Sequence, residues 1–262
     1  GESSYDLLGG LFQQMNTAVP ARAGRYREVQ YFNGGLYAAQ VPIELTPREL
    51  ELLGDAAAKD WARVNPVIFG TLFQGSMDAG ARHALGAHFT SEADILRVVQ
   101  PSIVRPWQER ITAADSMKAL LELRAAMLSY RVLDPACGSG NFLYVAYREL
   151  VRPEIGLLAK VRAMVSAREF AKKVKTLSLI SPRQFFGIDV DSFGIELGKV
   201  TLMLAKKLAL DEATEALDRR QVDLDLQEDH ALPLDNLDQN FIHGDALFVD
   251  WPAVDVIIGN PP

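Results

Sequence analysis

A short β-branched run that ends in a glycine-rich turn and passes straight into an amphipathic helix occurs at "YRVLDPACGSGNFLYVAYREL". It narrows the folds open to this chain more than any other feature. The order of strand, acidic turn and helix returns in "RQFFGIDVDSFGIELGKVTLMLAKKLAL", and "NFIHGDALFVD" and "VDVIIGNPP" supply two further strands. Strands alternating with helices predict an α/β fold with a parallel, doubly wound sheet. Ligands of such sheets lie beyond the C-terminal ends of the strands, so the loop from Asp134 to Gly140 faces the candidate site.

Upstream the texture differs. "YDLLGGLFQQMN" has apolar residues at helical spacing, and "VQYFNGGLYAAQV" alternates around Asn33-Gly34-Gly35, which predicts a hairpin. In "TPRELELLGDAAAKDWARV", Thr46 and Glu49 form a capping box, Pro47 suits the first helical position, and Leu50, Leu53, Ala57 and Trp61 make one apolar stripe. Ser91 with Asp94 is a second capping signal, ahead of Ile95, Val98 and Val99. The expected organisation is a mainly helical region with one hairpin over 1–125, then the α/β core over 126–262. A basic helical insertion at about 155–180 carries Lys160, Arg162, Arg168, Lys172, Lys173 and Lys175, read either as a DNA-facing helix or as a solvated face.

At 48% hydrophobic residues, 262 residues can fill a sizeable core. There is neither an apolar run of membrane length (about 18 residues) nor the basic-then-apolar start of a signal peptide, so a cytoplasmic protein with no membrane partner is expected. The single cysteine, Cys137, excludes an intrachain disulfide, and His83, His88, His230 and His243 lack metal-ligand spacing, so no metal is expected. Residues 1–184 carry 22 Lys+Arg against 18 Asp+Glu and residues 185–262 carry 5 against 16, a net +4 beside a net −11. An acidic part of this size repels a polyanion, so contacts to nucleic acid belong to the first part or to chain beyond these residues.

Three readings of the glycine loop follow from its residues. A phosphate-binding loop needs Lys-Ser/Thr after its last glycine, where this loop has Asn141-Phe142. A dinucleotide fingerprint needs a small residue where Phe142 stands and an acid about 20 positions on, whereas Asp189 lies 55 residues after Asp134. A nucleophilic Cys137 needs a nearby base, and the alternative is a buried structural cysteine beside glycine.

A fourth reading is a resemblance. "LDPACGSGNFL", "FGIDVD", "HGDAL" and "IIGNPP", in that order and each at the end of a predicted strand, resemble the motif set of S-adenosylmethionine-dependent adenine-N6 DNA methyltransferases. "GLFQQMN", "YFNGGLY", "IFGTLFQGSMD" and "GAHFTSEADILRVVQP" are similar to the helical region before the core in large single-chain type II restriction-modification enzymes. The resemblance implies an incomplete Rossmann-like class I methyltransferase core, cut after the Asn-Pro-Pro motif and inactive alone. It also implies S-adenosyl-L-methionine as cofactor and double-stranded DNA with a flipped adenine as partner, gripped mainly by a recognition domain outside this chain.

By that resemblance the cofactor contacts are Thr90, Asp134, Ala136, Gly138, Gly140, Asn141, Asp189, Val190, Asp245 and Ala246. Gly138 and Gly140 let the chain turn under the methionine end, Asp134 meets its amino group, and Thr90 reaches its carboxylate. Asp189 accepts from the ribose hydroxyls, with Asp191 as runner-up or helix cap. Val190 packs on the cofactor adenine and Asp245, otherwise a turn cap, accepts from its amino group. Asn260, Pro261 and Pro262 form the catalytic turn: the Asn260 side-chain carbonyl and the Pro261 backbone carbonyl accept the target amine's hydrogens. Methyl transfer to RNA or protein glutamine, a cofactor- or DNA-binding module without turnover, and more distantly a dehydrogenase are the other functions considered.

Overall fold

The computed structural model describes residues 3–17, 19, 21–29, 31–32, 35–37, 43–61, 64–66, 68–76, 90–166, 169, 180–216 and 237–261. The chain divides into two compact units, Gly1–Ile68 and Phe69–Pro262. Among the described residues no helix is long and apolar enough to cross a membrane.

In the first unit, α1 (Ser4–Met15) starts where the Ser3 side chain accepts the Asp6 N–H, and α2 (Pro47–Ala57) starts at the predicted capping box. The Thr46 N–H donates to Glu49 Oε2 at 2.7 Å and the Glu49 N–H donates to Thr46 Oγ1 at 3.3 Å, so two orphan amides are satisfied reciprocally. The apolar stripe of α2 does not enter the core: no residue of the helix is buried, and Leu50, Leu53 and Trp61 are 42%, 44% and 49% exposed. Much of the hairpin expected around Asn33-Gly34-Gly35 lies outside the described residues; 35–37 form a turn.

The second unit holds the sheet. After α3 (Ile68–Ser76), α4 (Glu92–Val99) begins at Ser91, whose hydroxyl accepts the Asp94 N–H. Pro101 has no N–H to continue the α pattern, and the next turn widens: the Arg105 N–H bonds to the Gln100 carbonyl five residues back, a π-helical turn over 100–104. The chain then runs into α5 (Arg105–Ala113) and α6 (Met117–Ser129). Ile95, Val99, Ile103, Trp107 and Ile111 recur at helical spacing and are buried.

Strands β1 (Val132–Asp134), β2 (Phe185–Asp189), β3 (Phe241–His243) and β4 (Val256–Ile257) form one parallel sheet in the order β3-β2-β1-β4. Between the strands run α7 (Asn141–Ala163) and α8 (Ser192–Ala216), which pack on each other and on the sheet, with the Tyr147 ring edge-on to Phe185 at 5.3 Å. Leu133, Phe186 and Ile188 form the core of the other face, covered by Ala246, Val249 and Val254. The register sets Asp134 beside Gly187 and Asp189 beside His243. Parallel strands in that register bring every motif loop to one edge.

Within the basic stretch, Lys160 has a structural role. Its ammonium donates to the carbonyls of Ile111, Thr112 and Ala114 at 3.0, 3.1 and 2.6 Å, closing the C-terminal end of α5. Arg168, Lys172, Lys173 and Lys175 lie outside the described residues.

Candidate functional site

The loop after β1 is shaped by two left-handed glycines, Gly138 at φ 49° and Gly140 at φ 82°. Gly140 is also held by a close approach: a Cβ there would stand 2.9 Å from the Gly198 Cα. On α8, Gly194 and Gly198 lie four residues apart and so share one helix face, on which the Gly138 carbonyl rests. A Cβ on Gly138, by contrast, would meet nothing within 4 Å, so the loop presents bare backbone on its open side. Among the described residues no side chain caps α7 at Gly140, which leaves its first amides to another partner. Gly194 and Gly198 were not among the expected site residues, although their four-residue spacing on a predicted helix marks a close backbone approach.

Two carboxyls lie under this loop. Asp134 is 1% exposed, and its Oδ1 accepts the Ala136 N–H at 3.0 Å. Burial pushes its carboxyl up to about 7; the Ala136 amide works against that rise, and the nearby Asp189 charge adds to it. Asp189 is half-buried and accepts the Gly138 N–H on one oxygen at 2.7 Å and the Asp191 N–H on the other at 2.9 Å. A carboxylate offers about four lone pairs, so each oxygen keeps one for a ligand. Asp191 caps α8 by accepting from the Phe193 and Gly194 amides at 3.2 and 3.1 Å.

The remaining expected contacts fall on the same edge of the sheet in different states. Val190 is 49% exposed, and its carbonyl accepts from His243 Nε2 at 3.0 Å, which gives that histidine a structural role. Asp245 is exposed and accepts the Leu247 N–H at 2.9 Å, closing a turn. Ala246 packs on the core under β2, and its carbonyl takes the Trp251 indole N–H at 2.7 Å. Cys137 is buried, and its thiol is pushed well up by burial and then by the Asp134 and Asp189 charges. Its sulfur lies 2.7 Å from where a Gly187 Cβ would be, so the cysteine fills a space that the strand glycine leaves open.

The β4 loop closes the site. The Ile258 N–H continues the ladder to the Leu133 carbonyl at 2.9 Å, and Gly259 then turns at φ 153°. A Cβ at Gly259 would sit 2.5 Å from Asp134 Oδ1, so this contact excludes any larger residue. The glycine was readable in "GNPP", but its partner 125 positions earlier was not. Asn260 and Pro261 follow on the surface, and Pro262 lies outside the described residues. Asn260 Nδ2 donates to Thr90 Oγ1 at 3.4 Å. Gly70 of α3 meets the glycine loop as well, since a Cβ there would lie 2.5 Å from Ser139 Oγ and 2.8 Å from Asn141 Nδ2. Asn141 Oδ1 is buried with no hydrogen-bond partner among the described residues.

This donor set fits a cationic nucleoside with an amino-acid tail. Open backbone and uncapped helix amides suit a carboxylate, the Asp134 and Asp189 carboxyls suit a cation and hydroxyl donors, and the orphaned Asn141 oxygen awaits an N–H or O–H.

A parallel sheet with a glycine loop after β1, acids after β2 and β3, and Asn-Pro after β4 defines the class: a Rossmann-like methyltransferase core. Residues 110–262 match the family described as MmeI, DNA-methyltransferase domain, and the chain belongs to that family. It is 31% identical over 183 residues to DNA methyltransferase A of Bacillus subtilis (strain 168), which covers 69% of this chain and 20% of that protein. It is 26% identical over 242 residues to a putative type II restriction enzyme and methyltransferase of Methanocaldococcus jannaschii, covering 75% of this chain and 20% of the relative. The chain thus spans about a fifth of the length of these relatives. Among solved structures, the type IIL restriction-modification enzyme MmeI in complex with DNA superposes with a TM-score of 0.73 at 29% identity, over 95% of this chain and 33% of that one.

Proposed function

We propose that this chain binds S-adenosylmethionine and presents it to the N6 amine of an adenine in DNA, as part of a restriction-modification methyltransferase. One observation carries the reading: the glycine before Asn260 lies directly on Asp134, so the candidate catalytic turn and the candidate cofactor floor form one site. The cofactor, when bound, supplies a methyl group on a sulfonium.

The chain's own residues do the rest. Gly138, Gly140 and the first amides of α7, with Ala136 and Asn141 beside them, receive the amino-acid tail. Asp134 balances its amino group, and Asp189 accepts from the ribose hydroxyls through its two spare lone pairs. Val190, Ala246 and Asp245 border the adenine, which requires the Asp245 carboxylate to leave its turn or to use its second oxygen. An exocyclic adenine amine is a poor nucleophile because its lone pair is conjugated into the ring. Asn260 Oδ1 and the Pro261 carbonyl accept its two hydrogens and favour the pyramidal nitrogen that attacks in line. The adenine reaches them only when flipped from the duplex, and target recognition falls to chain beyond residues 1–262.

In the full-length enzyme, Asn260→Ala is expected to cut methyl transfer by about 10²–10³-fold, the scale for loss of one oriented polar group at a reacting centre. Cofactor affinity, read by calorimetry, stays unchanged in that variant and falls in Asp189→Ala. Full turnover in Asn260→Ala would refute the assignment.

A further inference from the structure

We propose that Gly70 is a positioning residue for the glycine loop. By bringing the bare backbone of α3 onto Ser139 and Asn141, it holds that loop in the shape that receives the amino-acid tail of S-adenosylmethionine. The inference rests on the cofactor reading proposed for the loop.

Glycines of two other elements press on the loop. One contact is with α8, where a Cβ on Gly140 would stand 2.9 Å from the Gly198 Cα. The other comes from α3, whose Gly70 meets the two residues that flank Gly140. A Cβ on Gly70 would lie 2.5 Å from Ser139 Oγ, 2.8 Å from Asn141 Nδ2 and 3.3 Å from Asn141 Oδ1. Gly70 is buried, whereas Ile68, Thr71, Leu72 and Gly75 of the same helix are exposed. Gly70 and the sheet belong to one compact unit.

A glycine inside a helix weakens it relative to alanine, because its backbone loses more freedom on folding. At Gly70 that cost coincides with a lack of room. Five positions on, a Cβ at Gly75 would meet nothing within 4 Å. The two glycines of α3 therefore separate helix propensity from contact with the loop.

Heavy atoms in ordinary contact stand about 3.5 Å apart, so a Cβ at Gly70 would drive Ser139 Oγ back by about 1 Å. A serine hydroxyl is too close to its backbone to yield that far without changing rotamer or moving the loop. Asn141 has little room either, since its Oδ1 is already enclosed with no hydrogen-bond partner among the described residues. Its backbone opens α7, whose first amides belong to the proposed site, and Gly140 between the two is set at φ 82° against Gly198. Binding groups must be held to within about 0.5 Å, so a shift of this size reaches the cofactor.

In the full-length enzyme, Gly70→Ala is expected to raise the calorimetric Kd for S-adenosylmethionine by about tenfold or more. KM for the cofactor should rise in step, with kcat at saturating cofactor within about threefold of the parent. Gly75→Ala makes the same change in the same helix and should keep Kd within about threefold of the parent. Ser139→Ala removes the atom at 2.5 Å, so adding Gly70→Ala to it should cost clearly less affinity than Gly70→Ala costs in the parent. If Gly70→Ala alone does not fold, the double variant should fold and bind. A parent-like Kd in Gly70→Ala, whatever its unfolding midpoint in urea, would overturn the proposal and leave Gly70 a packing role only. An equal loss in Gly75→Ala, no relief from Ser139→Ala, or a double variant that does not fold would overturn it too. A parent enzyme that binds no S-adenosylmethionine would instead sink the cofactor reading itself.

Discussion

Replacing Asp134 with Asn acts on an ionisable group buried beneath the glycine loop, and its effect depends on pH in a direction that the structure sets. The folded carboxyl holds its proton up to about 7, against an ordinary value of 3.8. Between those values the folded state binds more protons than the unfolded one, so wild-type stability falls as pH rises, and the loss is complete above about 7. At roughly 1.4 kcal/mol per pH unit the burden is about 2 kcal/mol near pH 5 and about 4 kcal/mol near pH 8.5. Asn has the same shape and no charge, and its Oδ1 can go on accepting the Ala136 N–H. The variant should therefore gain on the wild type by roughly 2–3 kcal/mol between about pH 5 and pH 8.5. Urea unfolding followed by circular dichroism at each pH, with the slope m unchanged, measures this. A stability difference that stays constant across the range, or a wild type that gains as pH rises, would refute the reasoning. The same substitution should weaken cofactor binding, because a neutral amide cannot balance the cation: stability and function trade against one another here.

Other outcomes follow from the loop itself. Gly140→Ala places a side chain at φ 82° and 2.9 Å from the Gly198 backbone, so it should lose at least about 2 kcal/mol of stability in denaturant titration. Gly259→Ala should separate the β4 loop from Asp134, measurable as loss of methyl transfer with the fold retained by circular dichroism. Cys137, buried with its thiol pushed up, should resist iodoacetamide in the folded protein near pH 8 and react only after unfolding, as followed by mass spectrometry.

Local signals were legible in the sequence and distant contacts were not, for a physical reason. The capping box at Thr46, the cap at Ser91, the four strands and the helices after β1 and β2 depend on residues within a few positions of each other, so propensity and spacing reach them. The alignment of motif loops followed from the rule for parallel sheets. That the Thr90 hydroxyl meets Asn260 could not be read, because the two are 170 positions apart. The exposed stripe of α2 shows the reverse failure: the periodicity of Leu50, Leu53 and Trp61 is real, but periodicity records an amphipathic face and not what covers it. Lys160 read as part of a basic run, yet three backbone carbonyls at the end of α5 decide its role.

Adenine-N6 methylation at a site built from the β1 and β4 loops is tested most directly on the product. The full-length enzyme is incubated with duplex DNA and S-adenosylmethionine carrying an isotopically labelled methyl group, and the DNA is then digested for nucleoside mass spectrometry. Labelled N6-methyladenine is expected with the parent enzyme and almost none with Asn260→Ala. Label on cytosine, or equal N6-methyladenine from both proteins, would contradict the proposed chemistry.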